Sequence, residues 1–149
     1  MFPNAKGSEA LSVLATIDPI SQGAGTVSTA WISVANFHTF MAVVQTGVMG
    51  ASSTLDAKIQ QAQDGAGTGV KDVATKSIVQ IVKASGDNKQ ALINFKPEDV
   101  DNANNFAFVR LSLTVGVAAS LVAAQLVGVN PRYAVSDTYN QAGVVQIIG

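Results

Sequence analysis

The sequence predicts an all-β fold: an antiparallel β-sandwich or barrel-like domain with extended N- and C-terminal arms. Three observations carry that reading. Several stretches alternate apolar and polar residues with period two, the spacing of a strand with one face in a core. Turn signals rich in Gly, Asn, Asp and Pro separate these stretches at short intervals, as in sandwiches and barrels. The longest apolar run, residues 104–129, is broken at Gly116 into two strand-length pieces.

That run decides between two classes. Leu111 to Val129 is 19 residues without a charge, close to the ~20 that cross a bilayer as a helix. Its first half alternates, however. Ala107, Val109, Leu111, Leu113 and Val115 fall on one face, and Phe106, Phe108, Arg110, Ser112 and Thr114 on the other. Lys and Arg do not cluster at either end, as a membrane topology would require. A strand pair is therefore expected, with residues 106–115 as a central strand.

Each element follows in order. Residues 1–9 are polar, with Pro3 and Gly7, and are expected to form an arm. Residues 10–17 suit a strand or a helix, and Asp18-Pro19 is expected to end them, because the residue before proline leaves the helical region. Residues 21–26 read as a loop. Residues 27–37 are rich in β-branched and aromatic side chains, with Trp31, Ser33, Ala35 and Phe37 on one face. Residues 38–46 continue as strand, with a bend expected near 36–39 because one strand of that total length is improbable. Residues 47–52 form a turn. Residues 54–61 place Leu55, Ala57 and Ile59 inward and Asp56, Lys58 and Gln60 outward. Residues 64–69 are a glycine-rich loop. Residues 73–84 and 90–96 read as strands joined by the turn at 85–89, hence as a hairpin, with Ala91, Ile93 and Phe95 inward. Residues 97–105 suit a short helix with Pro97 in its first turn. The strand from Leu121 is expected to end at Gly128, followed by a Pro-containing connector. The sandwich thus covers residues 10–138, and residues 139–149 form a second arm. Its uncharged, β-prone piece, residues 144–148 (VVQII), needs a partner edge.

Composition narrows the function. The net charge is −1, which argues against a nucleic-acid binder, because phosphate binding needs clustered cations. Charged residues are 13%, about half the usual ~25%, as expected where other subunits cover much of the surface. There are no cysteines, so disulfides and thiolate metal sites are excluded. Residues 1–9 lack the apolar core of a secretion signal, and assembly in the cytoplasm is expected.

No motif carries a reaction. In residues 65–72 (GAGTGVKD), Val70 replaces the second glycine of a phosphate loop and Asp72 replaces its Ser/Thr. Gly23-Ala24-Gly25 lacks the third glycine of a dinucleotide loop. His38 is the single histidine, with no nucleophile or orienting acid in a recognisable context. Glu98, Asp99 and Asp101 are the one acidic cluster, without calcium-loop spacing. Trp31, Phe37 and Phe40 form the aromatic concentration and fit either a core or an interface anchor.

Three stretches carry a resemblance: GTGVKDVATKSI (67–78), NNFAFVRLSLTV (104–115) and NPRYA (130–134). Together they resemble small virion structural proteins of tailed bacteriophages, in particular capsid decoration or cement proteins. The likeness covers residues 61–134, with Arg132-Tyr133 at the place of the family's C-terminal signature and a longer tail beyond it. The resemblance implies a β-rich subunit in the virion that assembles on the major capsid protein and with copies of itself. It implies no enzyme activity, cofactor, metal, nucleic acid or membrane. The expected interface residues are Phe2, Trp31, Phe37, Phe40, Arg132, Tyr133, Tyr139, Val144 and Ile147. The alternatives are a head-to-tail joining or tail protein of the same particle and, in another class, a carbohydrate- or ligand-binding sandwich using Trp31 or Tyr133 as a stacking platform.

Overall fold

A computed structural model describes residues 4–149. Phe2 lies outside the described residues. One helical turn, α1 (Gly7–Ala10), leads into β1 (Leu11–Gln22). Then come β2 (Gly25–Ser28), the short β3 (Ile32–Ser33), a 3-10 turn at Val34–Asn36, and β4 (Phe37–Thr46). Next are β5 (Thr54–Ala62), β6 (Lys71–Ser77), β7 (Ile81–Val82), the helical turn α2 (Lys83–Gly86) and β8 (Gln90–Phe95). Two 3-10 turns, Pro97–Asp99 and Asn102–Asn104, precede β9 (Phe108–Gly116) and β10 (Ser120–Pro131), and a last one spans Ser136–Tyr139.

All ladders are antiparallel and build two sheets. Sheet A has the order β1-β10-β4-β8; sheet B has the order β2-β9-β5-β6, with β3 beside β9 and β7 beside β5. The all-β sandwich is therefore as expected, and β9 is the central strand foreseen for residues 106–115. Among the described residues, no helix is long and apolar enough to cross a membrane.

The alternating strands meet in one core. Leu55, Ala57 and Ile59 of β5 and Val109, Leu111, Leu113 and Val115 of β9 point inward from sheet B. Phe40, Ala42, Val44, Ile93, Phe95, Ala124 and Leu126 answer from sheet A. Each large side chain so buried contributes about 1.5–3 kcal/mol. The Phe40 and Phe95 rings stack at 5.1 Å. Phe37 meets Phe40 edge-on at 5.9 Å and Tyr139 at 5.2 Å. Gly128 makes room for this cluster: a Cβ there would sit 2.6 Å from the Phe37 ring.

Four expectations are corrected. First, Asp18-Pro19 does not end β1. The strand runs on to Gln22 through a register shift between Ile17 and Ile20. β1 is an edge strand, where a residue without an N–H is tolerated at a bulge. Second, β10 does not end at Gly128 but continues to Pro131; the glycine is there for the Phe37 ring. Third, the two halves of the long apolar run are strands but not partners, since β9 lies in sheet B and β10 in sheet A. Fourth, residues 73–84 and 90–96 form no hairpin. β6 pairs with β5, and β8 pairs with β4 in the opposite sheet. Within β6 the alternation breaks where Thr75 takes a left-handed φ of 63°.

Candidate functional site

The outer faces of the two sheets differ in chemistry. On sheet B the outer rows are polar and engage each other. Thr26 and Thr114 hydroxyls meet at 2.8 Å, and Ser28 donates to Ser112 at 3.2 Å. The Gln80 amide donates to Asp56 at 2.8 Å. Lys58 and Gln60 both donate to Asp72, at 2.8 and 3.1 Å. These bonds, Lys58's first, hold the Asp72 carboxyl below its ordinary range. Arg110 donates twice to Gln60 Oε1, at 3.0 and 2.8 Å, and its guanidinium lies 4.6 Å from the Trp31 ring centre.

Sheet A is the opposite. Its register puts Leu11, Val129 and Thr39 in one outer row, and Val13, Val127, Met41 and Asn94 in the next. Thr16, Gln125, Val43 and Leu92 follow, then Ala123, Gln45 and Gln90. These rows hold no charged side chain. Val127, at their centre, is buried yet is not part of the core between the sheets. Leu92 is 58% exposed.

The two edges of sheet A also differ. The edge of β1 is covered by the chain itself. Ser12 Oγ donates to the Ser136 carbonyl, Val13 N–H to Asn140 Oδ1 at 2.8 Å, and Gln141 N–H to the Val13 carbonyl at 2.8 Å. The Gln141 amide also donates to Thr16 Oγ1 at 3.1 Å. At the far edge, β8 has no strand beyond it among the described residues. Past the covered edge, residues 144–148 form no strand, with Val145 87% and Ile148 88% exposed.

The expected interface residues therefore separate. Phe37 and Phe40 are 1% exposed and belong to the intramolecular core, so neither anchors a partner. Their aromatic character serves packing. Tyr139 is half-buried against Phe37. Arg132 is exposed, but its Nε donates to the Phe37 carbonyl at 3.1 Å and fixes the start of β4. Trp31 is half-buried beneath Arg110, with the Gly67 backbone against its indole nitrogen. Tyr133 is 76% exposed; Ile147 is exposed and Val144 half-buried.

Met41, Val43, Leu92 and Val13 were not among the expected site residues. Their signal is present in the sequence. VVQT, LVAAQLV and QALINF carry apolar residues on both parities, a pattern found in sheets covered on both faces.

The acidic residues of the candidate motifs are engaged structurally. In the glycine-rich loop, Asp64 accepts from Ala66 N–H at 2.9 Å and from Thr68 N–H and Oγ1 at 3.0 and 2.6 Å. These bonds, that of the Thr68 hydroxyl first, lower its carboxyl's pKa. The loop's amides thus point at an anion of its own. Asp101 pairs with Lys71, and Asp99 lies 3.2 Å from Lys76. His38 is exposed on β4. Among the described residues, no three His, Cys, Asp or Glu side chains are grouped to hold a metal ion.

The sequence matches no family model and no curated protein. In fold it is similar to a chain of the Triatoma virus structure, at 7% identity and a TM-score of 0.48, covering 90% of this chain and 70% of that one. It is similar to the SPBc2 prophage-derived protein YomS at 9% identity and a TM-score of 0.42, over 79% and 93% of the two chains. It is also similar to the CBM22-1 xylan-binding domain of Paenibacillus barcinonensis Xyn10C, at 16% identity and a TM-score of 0.39, over 85% of each. Virus chains and a xylan-binding domain stand side by side here, so these likenesses do not separate the functional readings.

Proposed function

We propose that this chain is a non-enzymatic structural subunit of a virion. It seals the outer face of sheet A against other protein of the shell. The observation that carries the reading is that face: four strands whose outer rows hold eight apolar residues, six neutral polar ones and no charged side chain, with Asp18 at their β1 rim accepting from Thr16. Strands apolar on both parities suit a sheet covered on both sides, and one side is uncovered in the isolated chain. Sheet B supports the reading by contrast, because its polar groups already satisfy each other.

Magnitudes set the mode of assembly. Four strands at ~4.8 Å spacing and rows of about seven residues give a face of roughly 440 Å². A standard stable interface buries about 800 Å² per partner. With eight of its fourteen outer residues apolar, the face yields on the order of 6 kcal/mol at ~25 cal/mol per Å² of apolar area, and association costs about 4–15 kcal/mol. One such contact is weak, and repetition over symmetry-related sites makes it effective.

The sequence resemblance narrows the proposal to decoration or cementing of a tailed-bacteriophage capsid. The partners are then the major capsid protein and other copies of this chain, assembled in the host cytoplasm. Subunit stoichiometry in purified particles, measured by quantitative mass spectrometry, tests it. Copies on the order of hundreds support decoration; about six or twelve indicate a joining ring instead. Absence from particles overturns the virion reading.

A further inference from the structure

The open edge of β8 and the unpaired tail are complementary. The Thr46 N–H donates to the Lys89 carbonyl at 2.9 Å. This fixes which backbone groups face which way: Ala91, Ile93 and Phe95 bond to β4, opposite Val44, Ala42 and Phe40. The N–H and C=O groups of Gln90, Leu92 and Asn94 therefore point away from the sheet. Lys76 Nζ reaches one of them, the Asn94 carbonyl, at 3.1 Å. A row of outward backbone groups is a template for another strand.

Residues 144–148 have what such a template takes. They are uncharged, four of the five are β-branched, and none is proline. These five residues are one short of the six of β8, whose pairing with β4 covers Gln90 to Phe95.

Reach decides whose tail can bind. Gln141 is held outside β1, and a strand added to β8 would lie at the opposite end of sheet A. That is five strand spacings, roughly 24 Å. Val144 is three residue steps from Gln141, and even fully extended these span about 11 Å. A chain cannot place this segment on its own β8 while Gln141 stays docked.

We propose that residues 144–148 of one copy add as a fifth strand beside β8 in sheet A of a second copy. This rests on the reading of the chain as an assembling subunit and names the contact that joins its copies. The contact is heterologous, donor tail to acceptor edge, so it propagates into a ring or a chain. It also adds backbone hydrogen bonds to an apolar face that alone is too small for a stable interface.

The absence of cysteine makes a clean test. Full-length Leu92→Cys is mixed under oxidising conditions with full-length Gln146→Cys or Ile147→Cys. The two tail positions have opposite parity. Thr26→Cys, on sheet B, is the control. The proposal expects a disulfide-linked heterodimer at least fivefold above control with one tail position and not the other. Leu92→Pro removes an outward N–H and leaves the β4 ladder intact; it is expected to keep its melting temperature and to lose self-association in sedimentation.

Control-level cross-linking at both tail positions would overturn the proposal. So would dominant Leu92→Cys self-dimers, which mean edge-to-edge pairing of β8. So would a disulfide within one chain in dilute Leu92→Cys/Ile147→Cys, which puts the tail on its own edge. Particle stoichiometry is read separately: a Leu92→Pro protein that enters particles at the native copy number rejects strand exchange and leaves the virion reading standing.

Discussion

The outer faces of sheets A and B share one core and one backbone geometry, yet they prepare for different surroundings. On sheet B, hydroxyls pair across β2 and β9, and Arg110, Gln60, Asp72 and Lys58 form one continuous network. Such a surface gains little by meeting protein, because each polar group would have to exchange a satisfied bond for another. On sheet A, Val13, Met41, Val43 and Leu92 leave apolar area in water and gain by losing it. The lesson is that composition alone misleads. The low overall charge does not describe a uniformly bland surface, since sheet B carries Asp56, Lys58, Asp72 and Arg110 on its strands and the outer rows of sheet A carry no charged side chain.

The largest expected effect is on assembly. Val43→Glu puts a charge in the middle of the sheet A face, where docking would bury it unpaired. Incorporation into particles is expected to fall more than about 100-fold, equivalent to about 2.7 kcal/mol, with the melting temperature nearly unchanged. Ser28→Glu, on sheet B, is expected to leave incorporation intact. Equal loss from both variants would erase the distinction between the faces.

Next in size is an effect on the support of sheet A. Gly128→Ala pushes a methyl group into the Phe37 ring, and overpacking of this kind costs about 1–3 kcal/mol. Thermal unfolding should show the midpoint lowered by several degrees. The Phe37–Tyr139 contact is the first to suffer, so the 136–141 segment should also become more susceptible to proteolysis.

Much of this was legible in the sequence, for a physical reason. Alternation is local, so β5, β8 and β9 show their inward residues directly: Leu55, Ala57 and Ile59, then Ile93 and Phe95, then Leu111 and Leu113. Partners are not local. The chain changes sheet between β1 and β2, β3 and β4, β4 and β5, β7 and β8, and on each side of β9. Most neighbours in sequence therefore face each other across the core, β5 and β6 being a hairpin that does form, and the expectation of a hairpin at residues 85–89 fails. Pro19 and Gly128 misled for the same reason. Each looks like a terminator until its neighbours are known, a register shift in an edge strand in one case and an aromatic ring in the other. The aromatic residues were the weak guide to the interface. Phe37 and Phe40 pack inward, and the apolar part of the outer face is made by aliphatic residues such as Met41, Val43 and Leu92.

A smaller effect sharpens the sheet B side. Arg110→Ala removes the stacking on Trp31 and both bonds to Gln60. A loss of about 1 kcal/mol is expected, read from denaturant midpoints, with incorporation into particles unchanged.

The smallest effect is on acid stability. The Asp72 carboxyl is held below its ordinary range by its bonds from Lys58 and Gln60, and Asp101 likewise by Lys71 and Asn104. A carboxyl with a lowered folded-state pKa binds its proton more weakly than in the unfolded chain. Its stabilisation is thus complete above the unfolded value near ~4 and is lost as pH falls through the folded one. Asp72→Asn should therefore lower stability slightly at neutral pH and flatten its decline below about pH 4. Acid unfolding curves of the two proteins check the sign.

The most direct test compares solvent access to the two faces before and after assembly. Val43→Cys and Thr26→Cys each place a single thiol on an otherwise cysteine-free chain, one on sheet A and one on sheet B. Labelling with a soluble maleimide is measured for free protein and for purified particles. The account predicts that assembly suppresses labelling at position 43 at least tenfold and leaves position 26 reactive. Undiminished labelling at position 43 in particles that contain the protein would contradict it.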